Sequence, residues 1–422
     1  MTVASIFNLA AIVVTLAAVF GYVNHRWLRL PQSIGLVLIA LVASFGALAL
    51  DALFPTLDLR TTVRQTLLQI EFHDTLMKGM LSFLLFAGAL HVDLEALLSR
   101  KWAISMLATV GTLISTSVVG LAMFQVFRII DLDGLAIALP YCFVFGALIS
   151  PTDPIAVLSI LKQVRVPASL EAKIAGESLF NDGVGVVVFT ILVTIAAGAG
   201  EHGGEVTGAT IAVLFFQEAF GGAALGLVAG YLAYRAMQGI NEHNLEVLIT
   251  LALVMGAYAV ASAIHVSGPI AMVIAGLFIG NHGARFAMNE ATRDHVDKFW
   301  SLLDEVLNSV LFLAIGFEVL ALTFGAGIML AMAITIPVVL LARLVAVATP
   351  IGLLGLRREF TKGAIPVLTW GGLRGGISVA LALSLPAIPA KPVLLAVTYG
   401  VVVFSIIVQG LTIGAVARRT VG

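Results

Sequence analysis

Charged residues are scarce in this sequence: they make up 11% of the 422 residues, whereas 60% are hydrophobic. The mean hydropathy of +1.08 means more apolar surface than a water-soluble domain needs. A soluble protein is therefore excluded, and the composition predicts an all-α polytopic membrane protein that lies in a lipid bilayer. The net charge of −1 gives no sign of a nucleic-acid partner.

Cysteine is almost absent too, since Cys142 is the single one and an intramolecular disulfide is excluded. Cys142 lies in an apolar run, where we interpret it as a small buried hydrophobe. The N-terminus lacks the basic segment of a cleaved signal, so we expect a retained first helix. The longest polar stretches, 51–74 and 282–298, read as connections. We therefore expect one transmembrane domain over residues 1–422 and no soluble domain.

Apolar segments fill most of the chain, and a helix needs about 20 such residues to cross a bilayer. This criterion predicts thirteen transmembrane helices. Their approximate limits are 5–24, 32–50, 75–93, 102–127, 136–161, 168–199, 209–236, 244–264, 267–281, 294–323, 325–354, 361–386 and 392–416.

Basic residues predict the orientation, because they concentrate in cytoplasmic connections. Sixteen lie in one set of connections: Arg26, Arg29, Arg100, Lys101, Lys162, Arg165, Lys173, Arg235, Arg285, Arg293, Lys298, Arg357, Arg358, Lys362, Arg418 and Arg419. The alternate set holds four: Arg60, Arg64, Arg128 and Lys391. This bias places the N-terminus outside and the C-terminus in the cytoplasm of a cell, or inner, membrane.

Two predicted spans are interrupted in their middle. Pro151 and Pro154 break the fifth, since proline lacks an N–H and crowds the preceding turn. The glycines in the sequence 371–376 (GGLRGG) weaken the twelfth. The two spans run in opposite directions, which is typical of an inverted repeat whose broken helices meet at the substrate site. We expect repeats near 1–199 and 244–422, joined by a linker helix at 209–236.

Carboxylates beside these breaks are the candidate ion site. Asp153 lies between the two prolines, and Asp182 lies in the sixth span, where ionised side chains are costly. Carboxylates, hydroxyls and bare carbonyls are oxygen ligands suited to a hard cation. Thr152, Ser178 and Asn181 supply neutral oxygens nearby. A proton and a cation would compete for the same carboxylates, which is sufficient for an exchanger.

Glu177 and Arg374 are two more charges inside predicted spans. Each would be costly alone, so we expect them to form a structural ion pair between the two repeats. The alternative is that Arg374 pairs with Asp182. Asp304 and Glu305 lie near the cytoplasmic side of the tenth span and are candidates for lining an access funnel.

Four segments carry a resemblance to a known family: 151–154 (PTDP), 176–182 (GESLFND), 276–281 (GLFIGN) and 371–375 (GGLRG). In this order they resemble the NhaP-type sodium/proton antiporters of the cation:proton antiporter superfamily, which is related to animal sodium/proton exchangers. The resemblance covers essentially the whole chain. It implies a homodimer of thirteen-helix protomers, each with a dimerisation domain and a mobile core domain, and no cofactor.

The resemblance also implies residue roles. Asp153 and Asp182 match the family's ion and proton carriers, and Thr152 and Ser178 match its further Na⁺ ligands. Asn181 stands where electrogenic relatives have aspartate, which implies electroneutral one-for-one exchange. Glu177 and Arg374 match a buried ion pair. Ala87 departs from the pattern, since the family often has a glutamate there that would contribute to cation binding.

The leading hypothesis is a secondary active transporter, not an enzyme, that exchanges Na⁺, or Li⁺ or K⁺, for H⁺ by alternating access. A K⁺/H⁺ antiporter, a cation channel or an anion carrier on the same scaffold are the alternatives. An intramembrane enzyme with Ser178 as nucleophile is a further alternative, although the sequence has no G-x-S-x-G motif and no histidine deep in a span.

Overall fold

A computed structural model describes residues 3–54, 79–130, 132, 134–164, 166–198, 208–320, 322, 325–356 and 360–421. The start of the third predicted span and most of the polar stretch 51–74 lie outside the described residues. So do five basic residues used to predict the orientation: Arg60, Arg64, Arg165, Arg357 and Arg358.

Every regular element of the described residues is a helix. The α-helices are α1 Val3–Val23, α2 Gln32–Leu53, α3 Leu81–Leu90, α4 Leu94–Ser99, α5 Lys101–Met106, α6 Thr112–Ile129, α7 Leu139–Ile149, α8 Ile155–Val164, α9 Ala168–Ala196, α10 Gly208–Met237, α11 His243–Ala263, α12 Gly268–Leu277, α13 Ala284–Phe286, α14 Glu290–Glu318, α15 Ala326–Gly355, α16 Ala364–Trp370, α17 Gly376–Leu383, α18 Lys391–Phe404 and α19 Gly410–Val421. Short π-helical segments at Asn24–Leu28, Leu107–Gly111, Phe278–Gly283 and Ser405–Gln409 adjoin them.

The all-α membrane fold predicted from the sequence is confirmed. Nine helical segments within the described ranges are long and apolar enough to cross a membrane. The other four predicted spans coincide with shorter helices: α3, α7 with α8, α12, and α16 with α17. Because these four are short or interrupted, the count of thirteen crossings remains a prediction.

Both predicted interruptions are present. α7 ends at Ile149 and α8 begins at Ile155, so the backbone between them, which contains Pro151 and Pro154, leaves the helical path. α16 ends at Trp370 and α17 begins at Gly376, with the glycine-rich segment between them. We call residues 150–154 the first break and residues 371–375 the second break.

The first broken helix lies in the centre of the protein. Phe145, Leu148 and Ile149 of α7 are fully buried in the largest hydrophobic cluster. Gly146 permits this position, because a Cβ there would collide with the carbonyl oxygen of Thr116 on α6. Close packing of α6 on α7 thus fixes the depth at which the first break lies.

Candidate functional site

The two breaks cross and are hydrogen-bonded to each other. The backbone N–H of Asp153 donates to the carbonyl oxygen of Leu373 over 2.8 Å. In the second break, the backbone N–H of Arg374 donates to Ser405 Oγ over 2.8 Å. These bonds replace those that the interrupted helices cannot make internally, so the crossing is a defined structure at the middle of the fold.

Arg374 satisfies the carbonyls that the first break exposes. Its Nη1 donates to the carbonyl oxygen of Ser150 and, over 3.0 Å, to that of Pro151. The side chain is 1% exposed. A guanidinium at this position also lies at the C-terminal end of α7, where the helix dipole favours a positive charge. Arg374 therefore holds the first break in its unwound form.

Glu177 pairs with a different arginine from the one predicted. Arg343 on α15 donates from Nη1 to Glu177 Oε1 and from Nη2 to Glu177 Oε2, the latter over 2.9 Å. Arg343 Nη2 also donates to the carbonyl of Leu368 over 3.0 Å. The predicted Glu177–Arg374 pair is wrong, because both carboxylate oxygens of Glu177 accept from Arg343 and Arg374 Nη1 donates to the carbonyls of the first break.

Arg343 is the residue that the sequence reasoning missed. It is the one charged side chain in α15, a thirty-residue apolar helix, and a lone arginine in such a helix is itself a signal of a buried partner. Gly372 leaves room for it, since a Cβ at Gly372 would lie 3.0 Å from Arg343 Cζ. The glycines of the second break thus accommodate an ion pair beside the crossing.

Asp182 is buried and incompletely bonded. The residue is 5% exposed, and its Oδ1 has no hydrogen-bond partner. Among the described residues, Arg374 forms no ion pair with it, so the alternative Arg374–Asp182 pairing is not adopted. Burying a carboxylate oxygen without a partner is unfavourable unless a proton, a water molecule or a cation binds to it.

Asp153 and Asp182 line the same cavity, as the sequence predicted. Its volume is about 80 Å³. The polar lining residues come from the first break and from α9, α14 and α17, and they are Thr152, Asp153, Asp182, Asn308 and Ser378. A Cβ at Gly375 would lie 2.7 Å from the Cβ of Asp153, so only glycine lets this side chain lie against the start of α17.

Thr152, Ser178 and Asn181 form a network among themselves. Asn181 Nδ2 donates to Thr152 Oγ1 over 2.8 Å, and the Thr152 N–H donates to Asn181 Oδ1 over 3.3 Å. The hydroxyls of Thr152 and Ser178 are 3.0 Å apart. This network ties the first break to α9. The hydroxyl partner of Ser178 is thus a threonine, not the histidine base that an enzyme would need.

α3 forms the apolar wall of the cavity through Leu81, Leu84, Leu85 and Gly88. Ala87, at the position where the resembled family often has a glutamate, is 1% exposed and packs in a neighbouring hydrophobic cluster. The wall supplies no carboxylate. The described acids of this cavity are therefore Asp153 and Asp182.

A second cavity of about 150 Å³ adjoins the first at Asn308, which lines both. Asp304 and Glu305, one turn earlier on α14, line this second cavity together with Gln32 and Ser33 at the start of α2. Asn308 Nδ2 donates to the carbonyl of Asp304 over 2.9 Å. These two acids therefore line a cavity that shares Asn308 with the Asp153–Asp182 cavity.

Apolar helices long enough to cross a membrane, two broken helices that cross, and carboxylates beside the crossing are the features of a secondary transporter. The profile of the family described as sodium/hydrogen exchanger, transmembrane, matches residues 13–419. The chain belongs to this sodium/hydrogen exchanger family, which is a transporter family.

Relatives support this assignment over almost the whole chain. The Na⁺/H⁺ antiporter NhaP of Pseudomonas aeruginosa is 48% identical over 417 residues, which are 98% of this chain and 96% of the relative. The Na⁺/H⁺ antiporter NhaH of Halobacillus dabanensis is 35% identical, with 93% of each chain covered. The structure of the sodium proton antiporter MjNhaP1 from Methanocaldococcus jannaschii matches with a TM-score of 0.75 at 18% identity, covering 99% of this chain and 98% of that one. This last likeness confirms the antiporter fold.

Proposed function

We propose that the protein exchanges Na⁺ for H⁺ across the membrane, with Asp153 and Asp182 as the carriers. A monovalent cation and a proton each cancel one negative charge of the pair, and the two ligands compete. The names of the relatives, which cover the chain from end to end, support the Na⁺/H⁺ assignment. Li⁺ and K⁺ are the other candidate cations.

The unpartnered Oδ1 of Asp182 is the observation that carries this proposal. It is a buried atom of a residue that lines the same cavity as Asp153. A buried structural carboxylate is stabilised by a cationic partner, as Glu177 is by Arg343. Asp182 differs from Glu177 in lacking such a permanent partner at Oδ1, so it is suited to an exchangeable one.

Asn181 supports electroneutral one-for-one exchange. Its amide both donates to and accepts from Thr152, so it acts as a fixed neutral crosslink of the first break. An amide cannot release a proton in this pH range. We infer that Asn181 releases no proton, that Asp153 and Asp182 are the acids of the exchange, and that one cation replaces one proton.

Alternating access requires a route to each side of the membrane. The cavity next to Asn308 reaches Gln32 at the beginning of α2, and the basic residues predict that this end is cytoplasmic. We infer that the structure opens towards the cytoplasm, that the N-terminus is outside, and that a core containing both breaks moves against the remainder. The two-repeat division, with α10 as linker, and the homodimer belong to this proposal.

Purified protein in proteoliposomes tests the proposal. A Na⁺ gradient should drive H⁺ movement, read with an internal pH dye, and an imposed membrane voltage should leave the rate unchanged. Repeating the assay with Li⁺ and K⁺ identifies the cation. Current without obligatory H⁺ movement would indicate a channel, and a voltage-dependent rate would contradict one-for-one stoichiometry.

A further inference from the structure

Ser378, whose hydroxyl the proposed function does not use, lines the same cavity as Asp153 and Asp182. Ser378 of α17 lines this cavity, is 1% exposed, and its Oγ has no hydrogen-bond partner. Asp182 Oδ1 is another unpartnered atom in the same cavity. Burial of a polar atom without a partner is destabilising. Two residues that line one small cavity and each carry such an atom therefore indicate a ligand that both residues bind.

The position of Ser378 explains why its hydroxyl is free for a ligand. Buried threonines in other helices, such as Thr112, Thr335 and Thr398, donate to the carbonyl four residues earlier over 2.6–2.7 Å. Ser378 is the third residue of α17, so the residue four positions earlier is Arg374, in the second break. The helix thus provides no carbonyl of its own for this hydroxyl.

The chemistry of the cavity identifies the ligand class. Carboxylates and a neutral hydroxyl are the oxygen ligands that a hard cation prefers. Thr152 Oγ1 is already engaged by Asn181 Nδ2 and lies 3.0 Å from Ser178 Oγ. The cavity, at about 80 Å³, exceeds the roughly 10–15 Å³ that one water needs. The volume is therefore sufficient for a monovalent cation with some of its water, in a cavity that both aspartates and Ser378 line.

We propose that Ser378 is a further ligand of the transported cation and helps to determine cation selectivity. The hydroxyl oxygen contributes a lone pair and keeps its proton, so the proton count of the exchange does not change. Asp153 lies in the first break and Asp182 in α9, whereas Ser378 lies in α17, the helix that follows the second break. This inference rests on the proposed function and extends the site across both breaks.

The test compares Ser378→Ala with Ser384→Ala. Ser384, near the other end of α17, donates to the Leu381 carbonyl over 2.6 Å and does not line the cavity. Rates of exchange in proteoliposomes are measured against Na⁺ and Li⁺ concentration. Ser378→Ala should weaken apparent Na⁺ affinity about fivefold, the effect of losing one neutral ligand bond, and retain the rate at saturating Na⁺. Ser384→Ala should match the wild type. Wild-type affinity for both cations in Ser378→Ala would overturn the inference.

A second variant keeps the inference testable if Ser378→Ala does not fold. Ser378→Cys replaces a hard oxygen with a soft sulfur of similar position, so the apparent affinity for Tl⁺ relative to Na⁺ should rise. An unchanged Tl⁺/Na⁺ ratio would overturn the inference. Wild-type protein without any cation-driven H⁺ movement would refute the proposed function and this inference with it. If the wild type exchanges Na⁺ for H⁺ and the Ser378 variants keep its apparent cation affinities, this inference alone would be refuted.

Discussion

The guanidinium of Arg374 lies 3.0 Å from the carbonyl oxygen of Pro151, so the charge of one broken helix satisfies the backbone of the other. Proline in a membrane helix frees carbonyls that lipid cannot hydrogen-bond. Here the second break supplies the missing donor. The unwound backbone that places Asp153 in the cavity is therefore stabilised by a residue more than two hundred positions away.

Removal of Arg374 should destabilise the protein. Arg374→Ala leaves the carbonyls of Ser150 and Pro151 buried without this donor, and each such group costs about 1–3 kcal/mol. We expect the free energy of unfolding to fall by about 2–4 kcal/mol, with a lower melting temperature in detergent. Arg285→Ala is the control. Arg285 is exposed, and its one ion pair among the described residues, with Glu95, is long at 4.0 Å. Equal melting temperatures for the two variants would contradict this role.

Glu177 and Arg343 should behave as a pair. Removing one partner leaves the other charge buried and alone, so Glu177→Met or Arg343→Met should each cost about 3–5 kcal/mol. The double variant should cost much less than the sum, which a double-mutant cycle on thermal stability measures. A cycle of Glu177 with Arg374 should give a smaller coupling energy. A larger coupling energy for Glu177 with Arg374 than for Glu177 with Arg343 would support the pairing predicted from the sequence.

The contrast between these two arginines shows what the sequence could predict. Both breaks were predictable because proline and glycine act on the backbone around them. The partner of Glu177 was not, because Arg343 is 166 residues away and distance in the folded protein decides the choice. Ser378 was also missed, since a single hydroxyl in an apolar helix usually bonds to its own helix. Its exceptional position became visible only once the start of α17 was known.

Loss of the Asn181 crosslink should loosen the first break. Asn181→Ala removes the acceptor for the buried Thr152 N–H and the donor to Thr152 Oγ1. We expect a loss of about 1–3 kcal/mol of stability, measured as a lower melting temperature. Asn241→Ala is the matched control, since its amide partner Asn289 is exposed and 3.3 Å away. A Thr152→Val, Asn181→Ala double variant that is no worse than either single variant would confirm the coupling, and additive losses would contradict it.

Neutralising the access route should slow cation capture. Asp304 lines the cavity that adjoins the ion site at Asn308. Asp304→Asn should raise the KM for Na⁺ about two- to fivefold at low ionic strength, with a smaller effect in high salt. Asp294→Asn on the same helix is the control, because Asp294 is exposed and bonded to Lys298 over 2.6 Å. A KM unaffected by Asp304→Asn would remove this residue from the route.

Asp182→Asn in proteoliposomes tests the central claim most directly. An amide has nearly the size of the carboxylate but cannot exchange a proton for a cation at that position. We expect Na⁺-driven H⁺ movement to be abolished, while the melting temperature in detergent stays at or above the wild-type value because a buried acid has been removed. Wild-type rates of exchange in a folded Asp182→Asn protein would contradict the account.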